Sequence, residues 1–414
     1  MEAIGQFESF VARLRAFVEV ALKERCSGAA AIGTAAGLRA PDSHSERGFE
    51  DLALELFALQ FDHNAPYRRF CEARKISPPG VEHWNQIPAV PTSAFKELEL
   101  SCLPPSERTA VFYSSGTTGQ PPSRHFHNPV SLALYEASLW PWFREHLLPD
   151  CDASPLDTID LLCLSPGRSH APHSSLVYMF EVIRQRLAIT ERGHSCPQQP
   201  PNETVFTGTV LEDEAWGLDL EKTIGIMRGA EATGRKLMIL GTAFSFVHLL
   251  DELVARGLRI ALPAGSRVME TGGYKGRSRR IPKPELHSLL SDRLGISAGR
   301  IVCEYGMSEL SSQAYDHHVS DHSTNRHKPA HGGRSGLARR FVFPPWTRVQ
   351  LISPETGRES AEDGTGLIRV FDLANAYSVM AIQTEDLALW RSDGFELLGR
   401  APLAEPRGCS LRAR

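Results

Sequence analysis

Ala110-Val111-Phe112-Tyr113-Ser114-Ser115-Gly116-Thr117-Thr118-Gly119-Gln120-Pro121-Pro122-Ser123-Arg124-His125 is an apolar β-type run that breaks into small hydroxylated residues and glycines and then resumes as a second β-type run. The pattern predicts a hairpin whose tip carries little side chain. Glycines there reach backbone conformations that other residues avoid, and exposed N–H groups at such a tip converge on anionic oxygens, so the tip suits a polyphosphate. Taken alone, the hexamer Ser114–Gly119 reads equally well as an ordinary Ser/Thr/Gly turn. The rest of the chain decides between the two.

The 414 residues suffice for a large core in one big domain or two to three smaller ones. A hydrophobic share of 42% and a charged share of 23% are those of a globular protein, and a net charge of −4 gives no electrostatic case for nucleic acid or an anionic membrane. The amino terminus lacks a basic segment followed by an apolar one, and no apolar run approaches the roughly 20 residues needed to span a bilayer, so the expected location is cytoplasmic. Eight cysteines, at 26, 71, 102, 151, 163, 196, 303 and 409, are scattered without a CxxC pair, which argues against a zinc site and against a disulfide framework.

Phe7, Phe10, Val11, Leu14, Phe17, Val18, Ala21 and Leu22 recur at three- and four-residue spacing and predict an amphipathic helix over about 5–25. Residues 27–45, rich in Ala, Gly and Ser, read as a loop, and a second helical run covers 49–61. Beyond the hairpin, helical patterns over 132–148, 175–187 and 244–256 alternate with short apolar runs at 158–164, 205–208, 237–241, 267–270 and 300–304. Strands alternating with helices predict an α/β fold whose functional loops lie at the carboxyl ends of the strands. From about residue 337 the pattern changes to short β runs at 349–352, 367–371 and 388–390, which predict a small terminal β subdomain. The expected division is therefore 1–336 for the α/β core, 337–400 for the β subdomain and 401–414 for a tail.

Three strand ends carry further candidates. Met269-Glu270-Thr271-Gly272-Gly273-Tyr274-Lys275-Gly276 puts a glycine pair directly after a strand, where a flat ring has bare backbone to lie against. Glu304-Tyr305-Gly306-Met307-Ser308-Glu309 offers an acid able to hold Mg²⁺ beside phosphates. Thr384-Glu385-Asp386 and Gly399-Arg400 bracket a hairpin that supplies a carboxylate for a sugar diol and a guanidinium near it. Each taken singly is also compatible with a solvated turn.

Together and in this order the motifs resemble the adenylate-forming superfamily, and within it the LuxE-type acyl-protein synthetases, over about 87–410. The resemblance implies the amino-terminal domain fold of that superfamily, with mixed α/β sheets, and an ATP-dependent, AMP-forming ligase. Ser115, Gly116, Thr117, Thr118 and Gly119 would grip the ATP phosphates, Gly272 and Gly273 would lie against adenine, and Tyr305 would line the adenine and acyl carboxylate pocket. Glu309 would coordinate Mg²⁺, with Thr118 a second ligand, while Asp386 and Arg400 would bind the ribose. The implied reaction is attack of a carboxylate, a long-chain fatty acid in this family, on the α-phosphorus, with release of pyrophosphate.

The departures from the superfamily are as informative. Most members add a mobile carboxy-terminal domain with a catalytic lysine; here the sequence stops 14 residues after Arg400, and the expectation is a chain lacking that domain, as in the acyl-protein synthetases. Pro122 stands where the phosphate loop commonly has lysine, leaving Lys275, Arg277, Arg279, Arg280 or Arg124 as replacement cations. The resemblance also implies that Cys409 accepts the acyl group and hands it to a LuxC-like acyl reductase. Nine residues from Arg400 to Cys409 span up to roughly 30 Å when extended, and Arg407 and Arg412 would favour the thiolate. Alternatives are release to CoA, as in phenylacetate-type CoA ligases, and a non-catalytic nucleotide- or acyl-binding subunit. His317, His318, His322, His327 and His331 match no zinc spacing and read as a polar loop, and no G-x-S-x-G elbow supports a hydrolase.

Overall fold

The computed structural model describes residues 2–30, 43–114, 121–150, 159–192, 204–211, 215–272, 281–317, 319, 339–361, 363–391 and 394–401. Ser115 to Gly119, Gly273, Lys275, Arg277, Arg279, Arg280, four of the five clustered histidines (His318, His322, His327 and His331), Arg407, Cys409 and Arg412 lie outside the described residues.

The centre is a six-stranded sheet in the order Ala314–Tyr315, Ile301–Tyr305, Arg267–Thr271, Lys236–Thr242, Ile159–Cys163, Thr204–Phe206. All neighbours are parallel except the short Ala314–Tyr315 edge, which runs antiparallel. Alternation along each strand splits its apolar side chains between two cores. Leu162, Leu164, Leu237, Ile239, Val268 and Ile301 pack with the helices Leu220–Thr233, Ala243–Ala255 and Lys283–Leu294. Leu161, Cys163, Met238, Leu240, Met269 and Val302 face the other way, into the core shared with Pro129–Leu147 and Ser175–Arg192. Burial on both faces is why these strands read as unbroken apolar runs.

The amino-terminal helix runs Glu2–Ala30, longer than its pattern alone marks, and buries Phe7, Phe10, Val11, Leu14 and Val18 on one side. A second helix covers Ser43–His63. The expected hairpin is present as Ala110–Tyr113 against Arg124–His127, in antiparallel register Phe112↔His125 and Tyr113↔Arg124. Its neck is closed by two bonds: the Ser114 N–H donates to the Ser123 carbonyl at 3.1 Å, and the Ser123 N–H donates to Ser114 Oγ at 2.9 Å.

The carboxy-terminal β runs form a five-stranded sheet. Val90–Pro91, Ala381–Arg391, Thr365–Asp372 and Thr347–Ile352 follow in order, and Gly394–Arg400 also pairs with Ala381–Arg391. The run expected at 388–390 is the end of this long strand. Opposite it the register jumps from Leu387↔Gly399 to Ala388↔Leu397, a bulge that leaves Leu398 exposed and holds Gly399 at φ +125°. That backbone angle favours glycine. Beyond the bulge, Arg400 stands directly opposite Asp386.

Among the described residues no helix is long and apolar enough to cross a membrane, and Cys71, Cys102, Cys163 and Cys303 are free thiols.

Candidate active site

Three segments meet at the carboxyl end of the strand Ile301–Tyr305. The Tyr305 ring is packed among Phe341, Phe343 and Phe395 at centroid distances of 5.9, 6.1 and 5.7 Å. This packing points its hydroxyl at Asp386, to whose Oδ2 it donates at 2.9 Å. Arg400 closes on the same carboxylate, Nε to Oδ1 at 3.3 Å, and places a terminal nitrogen 3.6 Å from Glu385. Both terminal guanidinium nitrogens are buried and make no hydrogen bond among the described residues. Buried donors of a charged group left unsatisfied are costly, so they mark a place for an acceptor that binds there.

Downstream of Tyr305 the chain turns through Gly306. A Cβ there would sit 2.3 Å from Glu304 Oε1, so a side chain at this turn would displace the Glu304 carboxyl. Ser308 Oγ donates to Glu309 Oε2 at 3.0 Å, and the Glu309 side chain is fully buried. Asn375 Nδ2 donates to the Glu309 carbonyl at 2.8 Å. Behind it, Asp372 accepts from the Ser311 and Ser312 N–H groups and from the Ser312 hydroxyl, at 3.0, 2.8 and 2.7 Å. Burial raises the Asp372 pKa, and the Ser312, Ser311 and Ala374 bonds oppose that rise.

His125, on the hairpin strand that leaves the glycine-rich tip, bonds the Ser308 carbonyl through Nδ1 at 2.8 Å. Burial lowers the His125 pKa to about 4, against the raising effects of that bond and of Glu309, so the ring is neutral at pH 7. A carbonyl only accepts, which fixes the proton on Nδ1.

Under the glycine turn, a Cβ added to Gly272 would meet nothing within 4 Å, so the space over it is open among the described residues. Thr271 donates its hydroxyl to Glu304 Oε2 across the strands. Burial pushes the Glu304 pKa up to about 7, although the Thr271 bond works the other way. Glu270, in contrast, is turned inward to His287 Nε2 at 3.2 Å and Lys283 at 3.9 Å. Arg124 is engaged on the flank of the hairpin by Glu99 at 3.3 Å. His317 bonds Asp316 at 2.8 Å, and among the described residues no cluster of three or more His, Cys, Asp or Glu could hold a metal ion.

The family described as "Acyl-protein synthetase, LuxE" matches residues 33–139. The long-chain-fatty-acid–luciferin-component ligase of Vibrio harveyi is 22% identical over 371 residues, covering 86% of this chain and 84% of the relative. That of Aliivibrio fischeri is 22% identical over 382 residues, covering 87% and 86%. The chain is similar to the LuxE-type acyl-protein synthetases.

Its fold is that of the adenylate-forming enzymes. A 2-hydroxyisobutyryl-CoA ligase structure with 2-HIB-AMP and CoA aligns with a TM-score of 0.59 at 13% identity, covering 87% of this chain and 69% of the other. An open conformation of that ligase aligns at 0.57 and 14% identity, covering 88% and 80%. This similarity supports an AMP-forming ligase that activates an acyl substrate with ATP.

Of the expected site residues, Tyr305, Asp386 and Arg400 are brought into direct contact, and Glu309 lies four residues past Tyr305 on a fixed loop. Sequence reading missed His125, Glu304, Asp372 and Asn375. The one available signal was the pair His125 and His127 at strand spacing on the arm of the hairpin, two imidazoles in a run otherwise suited to burial.

Proposed function

We propose that the protein is an acyl-protein ligase: it converts a long-chain fatty acid to an acyl-adenylate, transfers the acyl group to Cys409 and delivers it to a reductase. The observation that carries the nucleotide part is the contact of Tyr305, Asp386 and Arg400, in which two buried guanidinium nitrogens make no hydrogen bond among the described residues. A ribose diol answers both needs, because each hydroxyl donates to the carboxylate and accepts from the guanidinium. Adenine would lie over Gly272 and Gly273 and against Tyr305. The phosphates would reach Ser115, Gly116, Thr117, Thr118 and Gly119.

The residues around Glu309 fit Mg²⁺. The donor is a buried carboxylate, hard oxygen chemistry, in a setting where substrate phosphates and water would complete the shell. With Thr118 as a second ligand, the ion would neutralise phosphate charge. The acid's carboxylate oxygen forms a bond to the α-phosphorus as the bond to the pyrophosphate oxygen breaks. The chain's part is to hold the sugar and to keep fixed donors on the developing charge.

The Cys409 thiolate then forms a bond to the acyl carbonyl carbon, and AMP departs with the electron pair. The division into a core of 1–336, a β subdomain of 337–400 and a tail of 401–414, and a cytoplasmic location, belong to the same reading. The test is incubation with radiolabelled myristate, ATP and Mg²⁺. Acid-dependent pyrophosphate release together with hydroxylamine-sensitive label on the protein, lost in Cys409→Ser, is the expected result. Pyrophosphate release with label that survives Cys409→Ser removes the cysteine assignment.

A further inference from the structure

We propose that His125 is a positioning residue for Glu309, setting the direction of its carboxylate from the phosphate-loop hairpin. The inference rests on the ligase reading above. Its ground is the way the backbone on either side of Glu309 is held. The Ser308 carbonyl belongs to the peptide plane entering Glu309, and His125 Nδ1 donates to it at 2.8 Å. The Glu309 carbonyl belongs to the plane leaving it, and Asn375 Nδ2 donates to that at 2.8 Å. With both flanking planes hydrogen-bonded, φ and ψ of Glu309 are restrained, and the Ser308 hydroxyl at 3.0 Å from Oε2 restrains the carboxylate itself.

The two pins come from different parts of the chain. Asn375 follows the strand Thr365–Asp372, whereas His125 sits on the strand Arg124–His127 that carries the chain away from the glycine-rich tip. His125 therefore joins the hairpin and the acid loop into one body. Its ring has no room to swing: it is buried against His127 at a centroid distance of 4.2 Å and Phe95 at 6.4 Å, and His127 is in turn bonded to Ser131 Oγ at 3.2 Å. A histidine that only fills space would not need a proton on Nδ1 aimed at a backbone carbonyl.

The test compares His125→Asn with His125→Leu in the full chain. Asparagine carries an N–H donor close to the position of Nδ1; leucine fills similar space without one. Two readouts are taken: acid-dependent pyrophosphate release as a function of Mg²⁺, and binding of Mn²⁺ in the presence of a non-hydrolysable ATP analogue, followed by the Mn²⁺ electron paramagnetic resonance signal. Losing one buried hydrogen bond predicts about a tenfold rise in the Mg²⁺ needed for half-maximal rate and in the Mn²⁺ dissociation constant for the leucine variant, with KM for the acid unchanged. The asparagine variant should stay close to wild type. If the leucine protein does not fold, His125→Gln, whose donor falls near Nε2 instead, takes its place and should lose cation affinity in the same way.

Equal cation dependence in the asparagine and donor-less variants overturns the positioning role and leaves the ligase reading standing. Absence of pyrophosphate release by the wild type with every acid from acetate to palmitate overturns the ligase reading, and this one with it.

Discussion

Glu304→Gln tests the electrostatics beneath Tyr305. The Glu304 carboxyl is buried, accepts the Thr271 hydroxyl and titrates near pH 7 in place of its ordinary 4.5. A carboxyl whose folded pKa is raised holds its proton in the native state at pH values where the unfolded chain has already released it. Stability from this group is therefore complete below pH 4.5 and is lost as pH rises towards 7. At 1.36 kcal/mol per pKa unit the loss across that window is about 3 kcal/mol. Glutamine keeps the shape, still accepts from Thr271 and has nothing to titrate.

Urea unfolding of wild type and Glu304→Gln at pH 5 and pH 8 isolates the effect, because His125, His287 and the other titrating groups are common to both proteins and cancel in the difference. The two proteins should be about equally stable at pH 5. At pH 8 the glutamine variant should exceed wild type by about 2–3 kcal/mol, on the same pKa-to-energy scale. A difference that stays flat with pH, or that favours wild type at pH 8, refutes the raised pKa of the buried Glu304 carboxyl.

Tyr305→Phe removes the 2.9 Å bond to Asp386 and leaves the ring packing in place; KM for ATP should rise about tenfold or more with little change in melting temperature, as steady-state kinetics and a thermal scan would show. Gly306→Ala drives a methyl to 2.3 Å from Glu304 Oε1 and should cost about 1–3 kcal/mol in urea unfolding, with Gly272→Ala, where nothing lies within 4 Å, nearly neutral in stability. Cys409→Ser should retain acid-dependent pyrophosphate release while losing covalent label, which separates activation from transfer in one gel.

The central sheet was legible because its strands are covered on both faces, so Leu161 to Leu164 and Leu237 to Leu240 stand out as apolar runs in any reading. The hairpin was legible from its glycines and hydroxyls, and Asp386 and Arg400 from their order in the chain. The helix Lys283–Leu294 was not read, since Pro282, Pro284, Glu285 and His287 obscure its apolar period, although proline in the first turn is itself a helix-start signal. The strand Ala381–Arg391 was shortened to its end because Gln383, Thr384, Glu385 and Asp386 break the apolar pattern.

What no pattern could supply is contact between segments far apart in sequence. The Tyr305 hydroxyl finds Asp386 across 81 positions, and His125 finds the Ser308 carbonyl across 183. Residues such as Asp372 and Asn375 carry no local signal for their part in the site, because the groups they hold there, the Ser311 and Ser312 N–H groups and the Glu309 carbonyl, lie on a loop some 60 residues away.

The most direct measurement is carboxylic-acid-dependent exchange of radiolabelled pyrophosphate into ATP, run for wild type and Arg400→Met. The site described here predicts exchange that requires an acid, with KM for ATP raised about tenfold or more in the methionine variant by loss of a charged donor. Exchange that is absent with every acid, or an Arg400→Met protein with wild-type KM for ATP, contradicts the account.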